Sequence, residues 1–311
     1  RPEDAGADSW ARGSGWFRLI LASFFCLSLL GLDAPRAGAA GRDIRAPFEK
    51  AEVGPLTPID SAVDAALRKH GIQGANPCSD EIFVRRVYLD LIGTLPEPRE
   101  IYPFLQDTNP DKRMALVDAL MMRDEFADYW AMKWCDVLRV KAEFPINLWP
   151  NAVQAYHRWI RDAVRDNMPY DRFARELLGS SGSNFRVPPV NFYRAVQGRE
   201  PAALAGAVAL TFMGSRFEKW PEPRRKGMEA FFSRVAYKPT AEWKEEIVCL
   251  NPEATTRLTA VFPDGDKVAI EAGQDPRKVF AEWLVRRNNQ WFARAMVNRT
   301  WAWFFGRGIV H

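Results

Sequence analysis

A mainly α fold is what the sequence predicts: a compact multi-helix domain, a small β-hairpin insert, and the start of a second helical domain. Three observations predict it. Apolar residues recur at helical spacing in one segment after another between Ile59 and Met213. Pro, Asp or Ser stands near the start of each segment and Gly at several of the ends, which is how helices begin and stop. Short β-like runs gather only between 246 and 270. With 311 residues, 47% apolar and 26% charged, the chain can bury one large or two ordinary cores, which leaves out the disordered and collagen-like classes. Its net charge of +4 is spread out, with Arg224-Arg225-Lys226 and Arg286-Arg287 the densest runs, so nucleic acid is not an expected partner.

Taken in order, residues 1–39 combine Arg12 and Arg18, the apolar run Leu19–Leu32, and Ala37, Gly38 and Ala39. This is the pattern of a secretory signal peptide cut after Ala39, and the run is too short to span a bilayer. Export places the protein in the periplasm or cell envelope, or outside the cell, with the membrane touched only through the signal. Residues 40–56 read as a linker. The helical domain, 57–236, then holds segments at 59–70, 80–92, 98–105, 111–122, 124–139, 150–167, 170–178 and 201–213. The second of these is the clearest core helix. Phe83, Val84, Val87, Tyr88, Leu91 and Ile92 fill half its circumference, and Gly93, Pro96 and Pro98 end it. Gly179 to Asn184 reads as a polar loop and Glu222 to Arg225 as a charged one. The β insert, 237–272, contains runs at 246–250 and 257–262 and a hairpin turn at 263–266 leading into 267–270. Helices resume at 276–287 and 291–305, in the second helical domain, 273–311.

Four ordered blocks carry a resemblance. They are Arg85 to Pro98 (RRVYLDLIGTLPEP), Phe126 to Arg139 (FADYWAMKWCDVLR), Asn167 to Leu178 (NMPYDRFARELL) and Asn289 to Val310 (NQWFARAMVNRTWAWFFGRGIV). The first three resemble the secreted planctomycete family called domain of unknown function 1549. The fourth resembles the opening of its usual companion, domain of unknown function 1553. The resemblance covers everything after Pro55 and implies that much of the companion domain lies beyond His311, so that this chain is a fragment. It also implies a Cys-x-x-Cys-His segment between an apolar helix and an Ala-Phe-Phe block, with covalent c-type haem as its cofactor. Here Gly214-Ser-Arg216 runs directly into Phe217-Glu-Lys-Trp220, and no Cys or His lies between Leu210 and Val235. Two thiols at that spacing are what haem attachment needs, so the expected cofactor set is empty.

Few other residues suggest chemistry. Cys78, Cys135 and Cys249 follow the signal at spacings that suit no metal; a Cys78–Cys249 disulfide is open, and Cys135 reads as a buried small side chain. Of the three histidines, His157 falls on the apolar face of its helix as a core imidazole, and His70 suits the negative end of another. No metal site is expected. Glu218, Glu222, Glu242, Glu245 and Glu246 lie near Trp220 and Trp243, and paired acids beside aromatic rings are the minimum equipment of a glycan hydrolase. The plainer reading makes these acids solvated surface. Twelve tryptophans are present, two of them in the signal, and core packing accounts for most. Trp220 and Trp243 stand in irregular context and are the positions expected to be exposed for binding. The sequence thus describes an exported accessory or binding module, with polysaccharide or an envelope protein as partner. The alternative is an enzyme, either a carboxylate-based glycan hydrolase or a redox protein with its active part beyond His311.

Overall fold

The computed structural model describes Phe48, residues 57–142 and residues 150–310. The expected signal peptide lies outside the described residues, as does the linker apart from Phe48. The described chain is mainly helical with small antiparallel sheets, as the periodicity predicts. It divides into two compact units between Trp130 and Ala131.

The unit ending at Trp130 holds α1 (Pro58–Lys69), α2 (Asp80–Ile92), α3 (Pro98–Gln106), α4 (Lys112–Met121) and the first half of α5 (Asp124–Val137). Thr57 and Asp60 close a reciprocal cap on α1: the Thr57 hydroxyl accepts from the Asp60 N–H at 3.1 Å and the Asp60 carboxylate from the Thr57 N–H at 2.9 Å. The core face of α2 is buried as predicted, with Val87 and Leu91 inaccessible. Gly93 takes the left-handed conformation that stops the helix (φ 72°), and the Tyr129 ring lies where any Cβ would stand. The indole of Trp130 donates to the Leu91 carbonyl at 3.0 Å, so the end of α2 is also tied by a side chain. At the start of α2 the buried Asp80 carboxylate meets Lys112 Nζ and Arg113 of α4, each at 2.8 Å.

The unit from Ala131 onward continues α5 and adds α6 (Pro150–Arg165), α7 (Tyr170–Gly179), the short α8 (Asn191–Arg194), α9 (Pro201–Met213), α10 (Glu222–Glu229), α11 (Pro276–Leu284) and α12 (Gln290–Phe305). Apolar nearly all round, α9 is buried accordingly. Aromatic rings fill the space about it. Trp134 packs on Phe173 and Trp303, Trp159 stacks on Phe173 at 4.9 Å, and Tyr170 stacks on Phe292 at 4.5 Å.

Two sheets complete this unit. In one, β1 (Gly182–Ser183) and β2 (Val235–Pro239) flank β3 (Glu246–Leu250), all antiparallel, with Gly182 opposite Val248 and Val235 opposite Leu250. The other is the predicted hairpin, β4 (Leu258–Val261) with β5 (Lys267–Ile270), Leu258 facing Ile270. Two local expectations are corrected, and one point left open is answered. The polar loop 179–184 contributes a strand, because β3 offers it an unpaired edge. The charged stretch from Glu222 to Arg225 opens helix α10, whose start is set by Pro221 and Pro223. Cys78 and Cys249 are free thiols.

Gly227 shows how closely α10 meets the hairpin. A Cβ there would sit 2.7 Å from Val261 Cβ and 2.9 Å from the Val261 carbonyl oxygen, and backbone cannot step aside cheaply. Gly227→Ala is therefore expected to destabilise the fold by about 1–3 kcal/mol through overpacking. An unchanged thermal midpoint for the variant would refute this contact.

Candidate functional site

The five glutamates of interest separate into two that are spent in the fold and three that stand apart. Glu246, the first residue of β3, is not solvated surface. It holds Arg194 Nε at 2.8 Å and the Arg199 fork at 2.9 and 3.1 Å, and its own N–H donates to Asn184 Oδ1 at 2.9 Å. Arg199 in turn lies 4.4 Å over the Tyr237 ring, and burial pushes the Tyr237 hydroxyl up to about 12. Glu245 is buried too, accepting hydrogen bonds from the Ser183 hydroxyl and from Thr240 Oγ1. The Ser183 bond first, then the Thr240 bond, holds its carboxyl below the ordinary glutamate value. A glycosidic general acid needs the opposite shift.

Glu242 is exposed, 3.7 Å from Arg186. Glu218 is exposed with Arg216 at 4.0 Å, and Glu222 is exposed at the first turn of α10. The acids that adjoin in sequence are thus neutralised by arginines or bound by hydroxyls.

The two tryptophans part company. Trp220 is not an exposed binding position: only 9% of it is accessible, its indole N–H donates to Ser215 Oγ at 2.7 Å, and it packs on Phe217 and Arg224. Charged neighbours made it look like surface, but the short 3-10 turn Phe217–Lys219 rotates it inward. Trp243 is 68% exposed at the tip between β2 and β3. That tip is braced from several directions. Thr240 N–H donates to the Glu245 carbonyl, Glu242 N–H to Thr240 Oγ1 at 3.1 Å, and Asn184 Nδ2 to the Lys244 carbonyl. Lys244 takes a left-handed backbone (φ 62°) with its ammonium 5.9 Å from the Trp243 ring.

A cavity of about 370 Å³ is lined by Cys135, Val140, Val153, Gln154, His157 and Arg158. Here the expectation for His157 is corrected: it is exposed at the cavity wall, since the buried stripe of α6 runs through Ala152, Tyr156, Ile160, Ala163 and Val164 and passes one residue before it. Cys135 is half-buried, and burial, with a lesser push from Asp136, raises its thiol to about 12. A thiol held that firmly protonated is a poor nucleophile. Among the described residues no three His, Cys, Asp or Glu side chains gather as a metal site.

The haem implied by the family resemblance does not fit the residues present. Where the resemblance places the attachment segment, Gly214 takes a left-handed turn (φ 59°) and the buried Phe217 and Trp220 follow, with no Cys or His between Leu210 and Val235 to hold a porphyrin.

Comparison with known families agrees with the four sequence blocks. Residues 58–211 match the sequence model of PSCyt2, a protein family of unknown function (DUF1549), and residues 276–311 match that of PSD1, also of unknown function (DUF1553). Over these ranges the chain resembles those two families. Neither the curated proteins nor the solved structures give a significant match. No described helix is long and apolar enough to cross a membrane.

Proposed function

We propose that this chain is an exported binding module of the cell envelope, and that it takes hold of polysaccharide through the Trp243 tip without cleaving it. The observation that carries this reading is the placement of Trp243, a large ring standing out of the surface on a tip whose backbone is already tied down. Ordering the loop is then not a cost of binding, and an aromatic face suits the apolar face of a sugar ring. The acids beside it support binding over hydrolysis, since Glu245 and Glu246 are committed to partners within the fold. The export half of the reading rests on the basic, apolar and small-residue pattern of residues 1–39.

Affinity electrophoresis through gels containing soluble envelope polysaccharides tests the reading. The protein should be retarded, and Trp243→Ala should weaken binding by about thirtyfold, the effect of losing a central aromatic anchor worth about 2 kcal/mol. Unchanged retardation of the variant would remove Trp243 from the site. Release of reducing ends that disappears in Glu246→Gln would make the protein a hydrolase instead.

A further inference from the structure

Two arginines in the unit from Ala131 onward stand out because they converge on one residue with no described acid between them. Several buried or half-buried arginines are paired, Arg113 with Asp80, Arg194 with Glu246 and Arg277 with Asp275, while Arg224, Arg225 and Arg234 likewise lack an ion pair with a described carboxylate but do not converge in this way. Arg139 and Arg299 are both half-buried, and neither forms a salt bridge with a described carboxylate. Instead they meet at one residue, Thr211. Arg299 Nη2 donates to the Thr211 carbonyl at 2.7 Å and, more weakly, to the Leu210 carbonyl at 3.4 Å. Arg139 Nη1 approaches Thr211 Oγ1 at 3.4 Å and the Val137 carbonyl at 3.5 Å, both at the long limit of a hydrogen bond.

A helix-capping role accounts for part of this. Leu210 and Thr211 lie in the last turn of α9, where a cation is favoured by the free carbonyls. Capping explains Arg299 Nη2. It does not explain Arg299 Nη1, which is buried with no well-formed hydrogen bond, nor Arg139, which makes only two long ones. Arg139 also adopts a left-handed backbone (φ 60°) immediately after α5, a conformation uncommon outside glycine. Burial lowers its pKa, with the nearby Tyr156 partly opposing the change.

Polar groups around the pair are also unfilled. The hydroxyls of Tyr156 and Thr300 are buried and make no hydrogen bond with the described residues, and the buried Tyr170 hydroxyl has only the Arg299 guanidinium beside it. Holding the Arg299 nitrogen and these hydroxyls this way is costly unless something completes them. The edge at Leu210, itself 51% exposed, gives access from solvent.

We propose that Arg139 and Arg299, positioned by Thr211, form a binding site for an oxyanion: a phosphate, sulfate or carboxylate group held between the two guanidinium forks. Guanidinium geometry matches such groups bidentately, and the anion would supply the charge that no described residue supplies. The site is independent of the Trp243 reading, so either can fail alone.

Isothermal titration of the whole chain with inorganic phosphate, with sulfate, and with acetate tests it, against sodium chloride at equal ionic strength. Dextran sulfate at matched sulfate concentration distinguishes a free ion from a polymer-borne group. Saturable one-to-one binding of at least one oxyanion is expected, weakened about tenfold or more in Arg139→Gln and in Arg299→Gln, as befits loss of a charge-assisted pair. Arg139 makes only long hydrogen bonds, so its variant remains testable if Arg299→Gln does not fold. Thermal unfolding in anion-free buffer adds a second reading: Arg139→Met should be as stable as the parent or more so, because an unpaired cation leaves the interior. Binding no stronger than chloride's, or equal in parent and Arg139→Gln, would overturn the site.

Discussion

Arg277→Ala is expected to cost about 3–5 kcal/mol of folding free energy, the range for breaking a buried ion pair by removing one member. Arg277 is wholly inaccessible. Its guanidinium grips Asp275 through Nε at 3.1 Å and Nη2 at 2.8 Å, donates through Nη1 to the Ser180 carbonyl at 2.9 Å and through Nη2 to Ser181 Oγ at 2.7 Å, and lies 5.3 Å over the Tyr193 ring. Deleting it leaves the Asp275 carboxylate short of its counter-charge and opens a void the size of the largest buried polar side chain. Arg277→Lys should recover little, since a point charge cannot make the fork's four contacts. Urea unfolding measures the effect, with the slope expected to stay constant. A loss under about 1 kcal/mol would place this cluster among surface ion pairs in energetic terms. The double variant Asp275→Asn, Arg277→Met should regain part of the loss, because it removes both charges together.

Asp80→Ala should cost a comparable 3–5 kcal/mol near neutral pH, by leaving Lys112 and Arg113 facing each other without an anion. This pair of partners also fixes a pH dependence. Burial pushes the Asp80 carboxyl up, but the hydrogen bonds and charges of Lys112 and Arg113 together outweigh burial and hold it below the ordinary aspartate value. A carboxyl with a lowered folded pKa stabilises the protein above the unfolded pKa of about 4, and that contribution is lost as pH falls through the folded pKa. Glu100 and Glu245 are lowered as well, so the test is a difference. Between pH 7 and pH 3 the parent should lose more stability than Asp80→Asn does. Equal losses would show that Asp80 is not held in its charged form.

What could be read in advance depended on how far apart the interacting residues lie. The end of α2 was legible because Phe83 to Ile92, Gly93 and the following prolines are neighbours in sequence, and the hairpin β4–β5 because its turn sits between its strands. Helix α10 was not legible, since Pro223 and Gly227 within a run of charges read as a loop. It forms because one face packs on Val261 and the buried Met228 fills the core. Strand β1 has only two residues and no pattern of its own. The neutralisation of the half-buried Glu246 comes from Arg194 and Arg199, 52 and 47 positions earlier, a pairing no local rule anticipates. His157 missed the buried stripe of α6 by one position, a matter of helical phase. The exposed Trp243 followed from its irregular surroundings, whereas Trp220 in similar surroundings was turned inward by Phe217. The Arg139–Arg299 cluster left one trace: both arginines lie in the sequence blocks shared with the two families.

The Arg277 cluster changes what the family boundaries mean. Arg277 belongs to the segment matching the second family, while Ser180, Ser181 and Tyr193 belong to the segment matching the first. The division between compact units, by contrast, falls inside α5 and within the first family's own range. The two matched segments are here joined through a buried cation, and parting them would strip Arg277 of the Ser180 carbonyl, the Ser181 hydroxyl and the Tyr193 ring while leaving its ion pair with Asp275 exposed. The part of the first segment from Ala131 onward and the whole of the second therefore share one core, so the sequence boundary between them is not a boundary of packing.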